Sequence, residues 1–186
     1  MYTNFYCLRA RAHPECVEKF RPQYGELYWP FTWSQLFCFN VDSPVIDLSW
    51  RVAYDGLYTA DRLIGFGYTI DANCFCSTAL KTPSHLVCSC PLAQSALSWL
   101  QSLMFSYSSS CPSLVCHHVL FGFAPRELRT LPKVFKYVLN VCKFFIWHAR
   151  NDFSFQGVRP GAPSLSPRSA LELCSIFHSC LNAINR

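Results

Sequence analysis

The chain contains several segments in which apolar residues recur every three or four positions, the spacing that places them on one face of an α-helix. Residues 45–66 form the first such segment, and Gly56 is its weakest point. We expect this helix to lead into a second short one at residues 61–63 that Gly65 and Gly67 end. The apolar positions of the segment are Ile46, Trp50, Ala53, Leu57 and Ala60.

A second helix is predicted from Pro91 to about Phe105, because proline suits the first turn of a helix. Its apolar side is predicted to consist of Leu92, Ala96, Trp99, Leu100 and Leu103. Residues 106–113 are rich in serine and predict a loop.

The strongest helical pattern runs from Pro132 to Asn151. One predicted face is apolar and contains Val134, Val138, Val141, Cys142, Phe145 and Ala149. The opposite face is predicted to carry Lys133, Lys136, Lys143 and Arg150. Phe144 and Trp147 lie among those charges on the same helical projection.

The two ends of the chain differ from this helical middle. Residues 1–21 show no strong periodicity, and aromatic residues crowd residues 24–39, where Pro30 predicts the start of a short helix. The tail has a linker rich in proline and glycine and a further predicted helix from Ser166 to about Ile184. We therefore divide the chain into an aromatic-rich lead-in (1–44), a helical domain (45–155) and a linker with a C-terminal helix (156–186).

The cysteine content adds a chemical constraint. The 186 residues suit one compact domain, 51% of them are apolar, and twelve are cysteines. Secreted chains pair such cysteines in disulfides, but residues 1–11 lack the apolar run of a signal peptide. We therefore expect an intracellular protein, nuclear or cytoplasmic, whose thiols are metal ligands or core residues. The sequence has no apolar run of transmembrane length, so we expect no membrane partner.

Four residues have the composition and spacing of a structural zinc site: Cys74, Cys76, His85 and Cys90. Short loops can bring three thiolates and an imidazole together around one tetrahedral ion. Cys88 is an alternative to Cys90, and free thiols beside a surface histidine are the alternative to a metal site. The predicted fold is thus mainly α, a small helical domain with a short zinc-stapled loop, an aromatic-rich lead-in and an irregular tail.

The motifs around these ligands occur in a recognisable order. A segment with Trp50 comes first, and Gly56-Leu57-Tyr58-Thr59-Ala60-Asp61-Arg62-Leu63 follows it. The pair Cys74 and Cys76 comes next, then His85-Leu86-Val87 and Cys90-Pro91, and Ile146-Trp147-His148-Ala149-Arg150-Asn151 comes last. This order resembles the zinc-binding region that follows the polymerase core in reverse transcriptases of non-LTR (LINE-type) retrotransposons, over about residues 20–160. Val87 stands where that family usually has phenylalanine. The resemblance implies a parent polyprotein that copies RNA into DNA, with this region positioning RNA template or target DNA beside the polymerase domain.

The charge pattern favours the same class of partner. Residues 119–160 contain seven basic and two acidic residues, so their surplus equals the net charge of +5 of the whole chain. Lysines can follow phosphates while aromatic rings stack on bases. The predicted contacts are Lys133, Lys136, Lys143, Trp147 and Arg150. A solvated basic face of an ordinary core helix is the alternative.

Other chemistry finds little support in the sequence. Adjacent aspartates of a polymerase metal site, glycine-rich phosphate loops and a Gly-x-Ser-x-Gly motif are absent from the sequence, so we expect no enzyme activity of this chain on its own. Cys116, His117 and His118 form a second, weaker candidate metal cluster. The alternative functions are a protein-interaction module whose zinc only staples the fold, or a decayed copy without function.

Overall fold

The computed structural model describes residues 15–24, 32, 35, 43–74, 76, 79–129 and 131–156. Most of the aromatic lead-in and the predicted C-terminal helix from Ser166 lie outside the described residues. Within them the fold is mainly α, as predicted, and one isolated antiparallel bridge joins Asn73 to Leu80. The elements are α1 (Glu15–Tyr24), α2 (Ser43–Ala53), α3 (Ala60–Gly65), a π turn (His85–Ser89), α4 (Pro91–Tyr107), α5 (Cys116–Phe121), a 3-10 turn (Glu127–Arg129) and α6 (Lys133–Gln156).

The helical segment predicted at residues 45–66 is interrupted over residues 54–59, whereas the sequence marked only Gly56 as a weak point. Helix α2 ends at Ala53, and Asp55 follows with a φ of 54°, a left-handed conformation that stops an α-helix. The Gly56 amide then donates to the carbonyl of Arg51 (2.6 Å). Leu57 therefore lies in the connection, although it is buried as predicted for a core residue. The second short helix, α3, ends at Gly65 as predicted.

Helix α4 begins at Pro91 as predicted and continues two residues beyond the expected end, to Tyr107. Its buried side consists of Leu92, Ala93, Ala96, Leu100 and Met104. Trp99 and Leu103, which the sequence placed on that side, are only partly buried against the core.

Helix α6 is the central element, because it contacts α2, α4 and the π turn. Four positions of the predicted apolar face are buried: Val134, Val138, Val141 and Cys142. Burial extends further round the helix, to Phe135, Leu139 and Ile146, because neighbours cover more than half of its circumference.

The prediction that Lys143 and Arg150 face outward is therefore wrong. Lys143 is 1% exposed and Arg150 is 4% exposed. The two residues are seven positions apart, and this spacing puts them on one side of the helix. The expected exposed basic face was assigned from charge alone, whereas the packing of α6 against several elements buries part of that face.

Helix α1 was not predicted. It places Val17 and Phe20 in the core, and the Phe20 ring meets the edge of Phe121 with centroids 5.0 Å apart. Four of the ten residues of this helix are charged, so its apolar pattern is weak in the sequence. Pro22 inside the helix weakens the helical pattern further.

Among the described residues the core is one cluster of buried side chains, to which α1, α2, α4, α5, α6 and the π turn all contribute. None of the described helices combines the length and the apolar character that crossing a membrane requires.

Candidate metal centre

The first two candidate ligands lie on a tight reversal of the chain. The Cys74 amide donates to the carbonyl of Ala79 (2.8 Å), and the Lys81 amide donates to the carbonyl of Ala72 (2.9 Å). These bonds flank the bridge between residues 73 and 80 and bring the two chain segments together. Cys74 and Cys76 consequently project from one short loop, which explains how a Cys-x-Cys spacing can supply two ligands.

The other two candidates lie at the ends of the π turn. The Cys90 amide donates to the carbonyl of His85 (2.7 Å), an i to i+5 bond that brings residues five apart within one turn. The His85 amide donates to Oγ1 of Thr82 (3.2 Å), which holds the start of the turn. Pro91 then begins α4, so the cluster is attached directly to a core helix.

The four side chains converge on a common point. Their candidate ligand atoms all lie within 4.8 Å of one another. Sγ of Cys76 is 3.0 Å from Sγ of Cys74, 3.2 Å from Sγ of Cys90 and 3.7 Å from Nε2 of His85. Sγ of Cys74 and Sγ of Cys90 are 4.0 Å apart. Sulfurs of a tetrahedral zinc site are about 3.8 Å apart. Shifts of under about 1 Å would therefore fit the four atoms around one zinc ion.

The hydrogen bonds within the cluster favour the thiolate form of Cys74. Burial by itself raises the pKa of the Cys74 thiol. Hydrogen bonds from the side chain and amide of Cys76, from Arg150 and from His85 outweigh burial and lower the pKa of Cys74 to about 6. A thiolate is the form of cysteine that binds metal.

Cys88 does not join the cluster, although its position in the sequence left that open. Its thiol points to α5, where Sγ donates to the carbonyl of Cys116 (3.7 Å). The hydrogen bond with Cys116 and burial raise the pKa of Cys88, against the smaller opposing effect of Lys143. Cys88 is therefore a protonated core thiol, and Cys90 is the residue that completes the cluster.

Arg150 is a member of the site that sequence reasoning assigned elsewhere. Its Nη2 donates to Sγ of Cys74 at 3.4 Å, across a sequence separation of 76 residues. The sequence offers no local signal for this contact, because it depends on how α6 packs against the π turn. The arginine expected to contact nucleic acid therefore lies beside a candidate metal ligand.

The second candidate cluster is different in composition from the one predicted. The structure brings together His117, His118 and Glu127 and leaves Cys116 out. Nδ1 of His118 accepts a hydrogen bond from the Val115 amide (3.2 Å), so the ring proton of the neutral imidazole is on Nε2. That proton faces Oε1 of Glu127 at 3.1 Å.

Both nitrogens of His118 therefore have hydrogen-bonding roles. A metal ion bound at Nε2 would require the ring proton to move to Nδ1. There the proton would point at the N–H of Val115, which now donates to Nδ1. The other oxygen of Glu127 accepts a hydrogen bond from the Ala124 amide (2.6 Å). His118 and Glu127 join α5 to the 3-10 turn by their hydrogen bond, and the first cluster is the better metal site.

The predicted nucleic-acid contacts do not form one exposed face. Lys136 and Trp147 are partly exposed, Lys143 and Arg150 are buried, and the side chain of Lys133 lies outside the described part of the structure. Trp147 borders a groove of about 200 Å³ between α2 and α6. The groove is also lined by Arg51, Tyr58, Phe144 and His148.

Comparisons with protein-family models, with curated proteins and with solved structures find no match for this chain.

Proposed function

We propose that the chain is a zinc-stapled helical module that binds nucleic acid and has no enzymatic activity of its own. The observation that carries the zinc part is the convergence of Cys74, Cys76, His85 and Cys90 within 4.8 Å. Three thiolates and an imidazole are the ligand types that zinc prefers at structural sites.

A structural role for the zinc follows from the number of protein ligands. Catalytic zinc sites leave one position for water or substrate, whereas structural sites use four protein ligands. This cluster offers four, and Cys74 and Cys90 are both almost completely buried. The ion would tie the loop of Cys74 to the π turn and thereby to α4 and α6. We also propose a reducing intracellular location, since the described cysteines are free thiols.

The nucleic-acid part rests on the resemblance to the reverse transcriptase zinc region, on the net charge of +5 and on the groove between α2 and α6. Trp147, Phe144 and Tyr58 supply rings that can stack on unpaired bases. Arg51 at the same groove is paired with Asp47, another lining residue, at 2.7 Å, so this pair adds no net positive charge there. Lys136 is a partly exposed cation on α6. We propose single-stranded RNA or DNA as the partner of this surface, and the polymerase domain of a parent polyprotein as the neighbour of the module.

A protein-interaction module is the second candidate, and one observation favours it. Large apolar side chains are exposed on α3 and on the residues just before and after it: Tyr58, Ile64, Phe66, Tyr68 and Ile70. Exposed apolar residues that lie close together mark protein contacts in many soluble proteins. In this case zinc would stabilise the fold, and no nucleic acid would bind.

Two measurements on the full chain test these proposals. Native mass spectrometry before and after chelation should show one zinc ion per chain and its loss, with loosening of residues 72–90 by hydrogen exchange. A chain that retains no zinc at neutral pH contradicts the zinc proposal.

Titration of single-stranded RNA and DNA at several salt concentrations then separates the two candidate functions, because phosphate contacts release counterions and give a salt slope. Absence of such binding favours the protein-interaction module.

A further inference from the structure

We propose that Arg150 is a positioning residue of the zinc centre: its guanidinium holds the Cys74 thiolate by a hydrogen bond and balances the charge of the metal site. This inference rests on the proposed zinc site and adds a fifth residue to it. It also replaces the nucleic-acid role that the sequence suggested for Arg150.

The first argument is the contact itself. Nη2 of Arg150 lies 3.4 Å from Sγ of Cys74, within the usual range for an N–H···S hydrogen bond. Arg150 is 4% exposed and Cys74 is 4% exposed, so little water screens the contact. Interactions of charged groups are stronger in such surroundings than at the surface.

The second argument is the charge of the occupied site. Three cysteine thiolates, a neutral histidine and Zn²⁺ together carry one negative charge. A guanidinium always carries one positive charge. Placed against Cys74, it makes the buried assembly of metal, ligands and arginine neutral overall. A buried ion is stabilised by an adjacent opposite charge.

The third argument is the position of Arg150 in the fold. It lies near the C-terminal end of α6, and α6 packs against the π turn that carries His85 and leads to Cys90. The hydrogen bond thus joins the loop of Cys74 to the helix that also contacts α2 and α4. Groups that hydrogen-bond metal ligands orient them, and substitutions of such groups typically weaken metal binding by about 10- to 100-fold.

The test compares zinc affinity and the cobalt spectrum of variants of the full chain. Arg150→Gln should bind zinc about 10- to 100-fold more weakly than the wild type. With Co²⁺ in place of zinc, its sulfur-to-cobalt charge-transfer band should move to longer wavelength, since a thiolate without the hydrogen bond gives up its electron more easily. Arg150→Lys keeps the positive charge and should recover most of the zinc affinity.

Lys136→Gln is the matched control, because it removes a partly exposed charge from the same helix without touching the cluster. It should leave zinc affinity and the cobalt band unchanged. The proposal is overturned if Arg150→Gln binds zinc as tightly as Lys136→Gln with the same cobalt band, or if Arg150→Lys is as weak as Arg150→Gln.

Two further outcomes are also decisive. If Arg150→Gln does not fold, Arg150→Lys decides alone: near wild-type zinc affinity supports the proposal, and binding weakened about tenfold or more overturns it. If the wild-type chain itself takes up no zinc, the zinc site fails and this inference fails with it. Zinc binding that is insensitive to Arg150 would instead leave the proposed site intact and remove only the inference.

Discussion

The side-chain amide of Gln35 forms two hydrogen bonds with the backbone of Phe123. Its Nε2 donates to the Phe123 carbonyl (2.7 Å), and its Oε1 accepts from the Phe123 amide (2.9 Å). Gln35 is buried and lies 88 residues before its partner. The amide therefore attaches the N-terminal part of the chain to the segment between α5 and the 3-10 turn.

We expect Gly122→Ala to disrupt this attachment. A Cβ at Gly122 would lie 2.7 Å from Oε1 of Gln35, and the φ of Gly122 is 84°, a conformation that favours glycine. The strain and the displaced glutamine should lower the free energy of unfolding by about 1–3 kcal/mol or more. Urea unfolding of the zinc-loaded protein measures this loss.

Gly65→Ala is the control for that variant. A Cβ at Gly65 would meet no atom within 4 Å, and the residue ends helix α3. The substitution should change the free energy of unfolding by less than about 1 kcal/mol. Equal losses in the two variants would show that the contact with Gln35 contributes nothing specific.

A pH dependence is expected from Glu127. Burial would raise the pKa of this carboxyl, but the Ala124 amide and His118 hold it below its ordinary value. A lowered pKa in the folded state stabilises the protein above the unfolded-state pKa of about 4.3. That contribution is lost as the pH falls through the lower folded-state value.

The comparison that isolates this effect is wild type against Glu127→Gln. The wild type should be the more stable at pH 7, and its advantage should disappear as the pH falls well below 4.3 or so. Loss of zinc in acid affects both proteins, so the difference between them reports on Glu127. A difference that does not change with pH would mean that the carboxylate charge is not what stabilises the contact with His118.

Nucleic-acid binding at the groove should depend on Trp147 and Lys136. Trp147→Ala should weaken single-strand binding by roughly 1–3 kcal/mol and duplex binding less, because paired bases hide their faces. Lys136→Gln should reduce the salt slope of binding by about one unit, the contribution of one phosphate contact. Fluorescence titrations at several salt concentrations measure both.

A stability measurement on the same tryptophan variant separates binding from packing. Trp147 is partly buried against the core, so its removal could also lower the melting temperature. Lost stability with unchanged affinity per folded molecule would remove α6 from the binding surface. Lys143→Gln should lower the free energy of unfolding and leave the salt slope of nucleic-acid binding unchanged, because Lys143 is 1% exposed.

The sequence predicts the helices with long apolar repeats and the ligands that lie in short loops. Pro91 marks the start of α4, and the spacing of Cys74, Cys76, His85 and Cys90 is local enough to be recognised without a structure. Helix α1 is not predicted because four of its ten residues are charged and Pro22 lies inside it, which weakens the apolar pattern.

Contacts between distant segments are not predictable in the same way. The charge of Arg150 suggests a solvated residue, and only the packing of α6 on the π turn places it beside Cys74. Similarly, the sequence favours Cys90 as the fourth ligand but leaves Cys88 open as an alternative. The π turn decides between them, since it directs Cys90 to the cluster and Cys88 to the Cys116 carbonyl.

The most direct test of the zinc site compares the zinc content of Cys90→Ser and Cys88→Ser. Serine removes the thiolate ligand in the first variant and a protonated core thiol in the second. Metal analysis after purification at neutral pH should find one zinc per chain in the wild type and in Cys88→Ser, and a large loss in Cys90→Ser. Zinc retained by Cys90→Ser but lost by Cys88→Ser would contradict the ligand assignment and the geometry on which it depends.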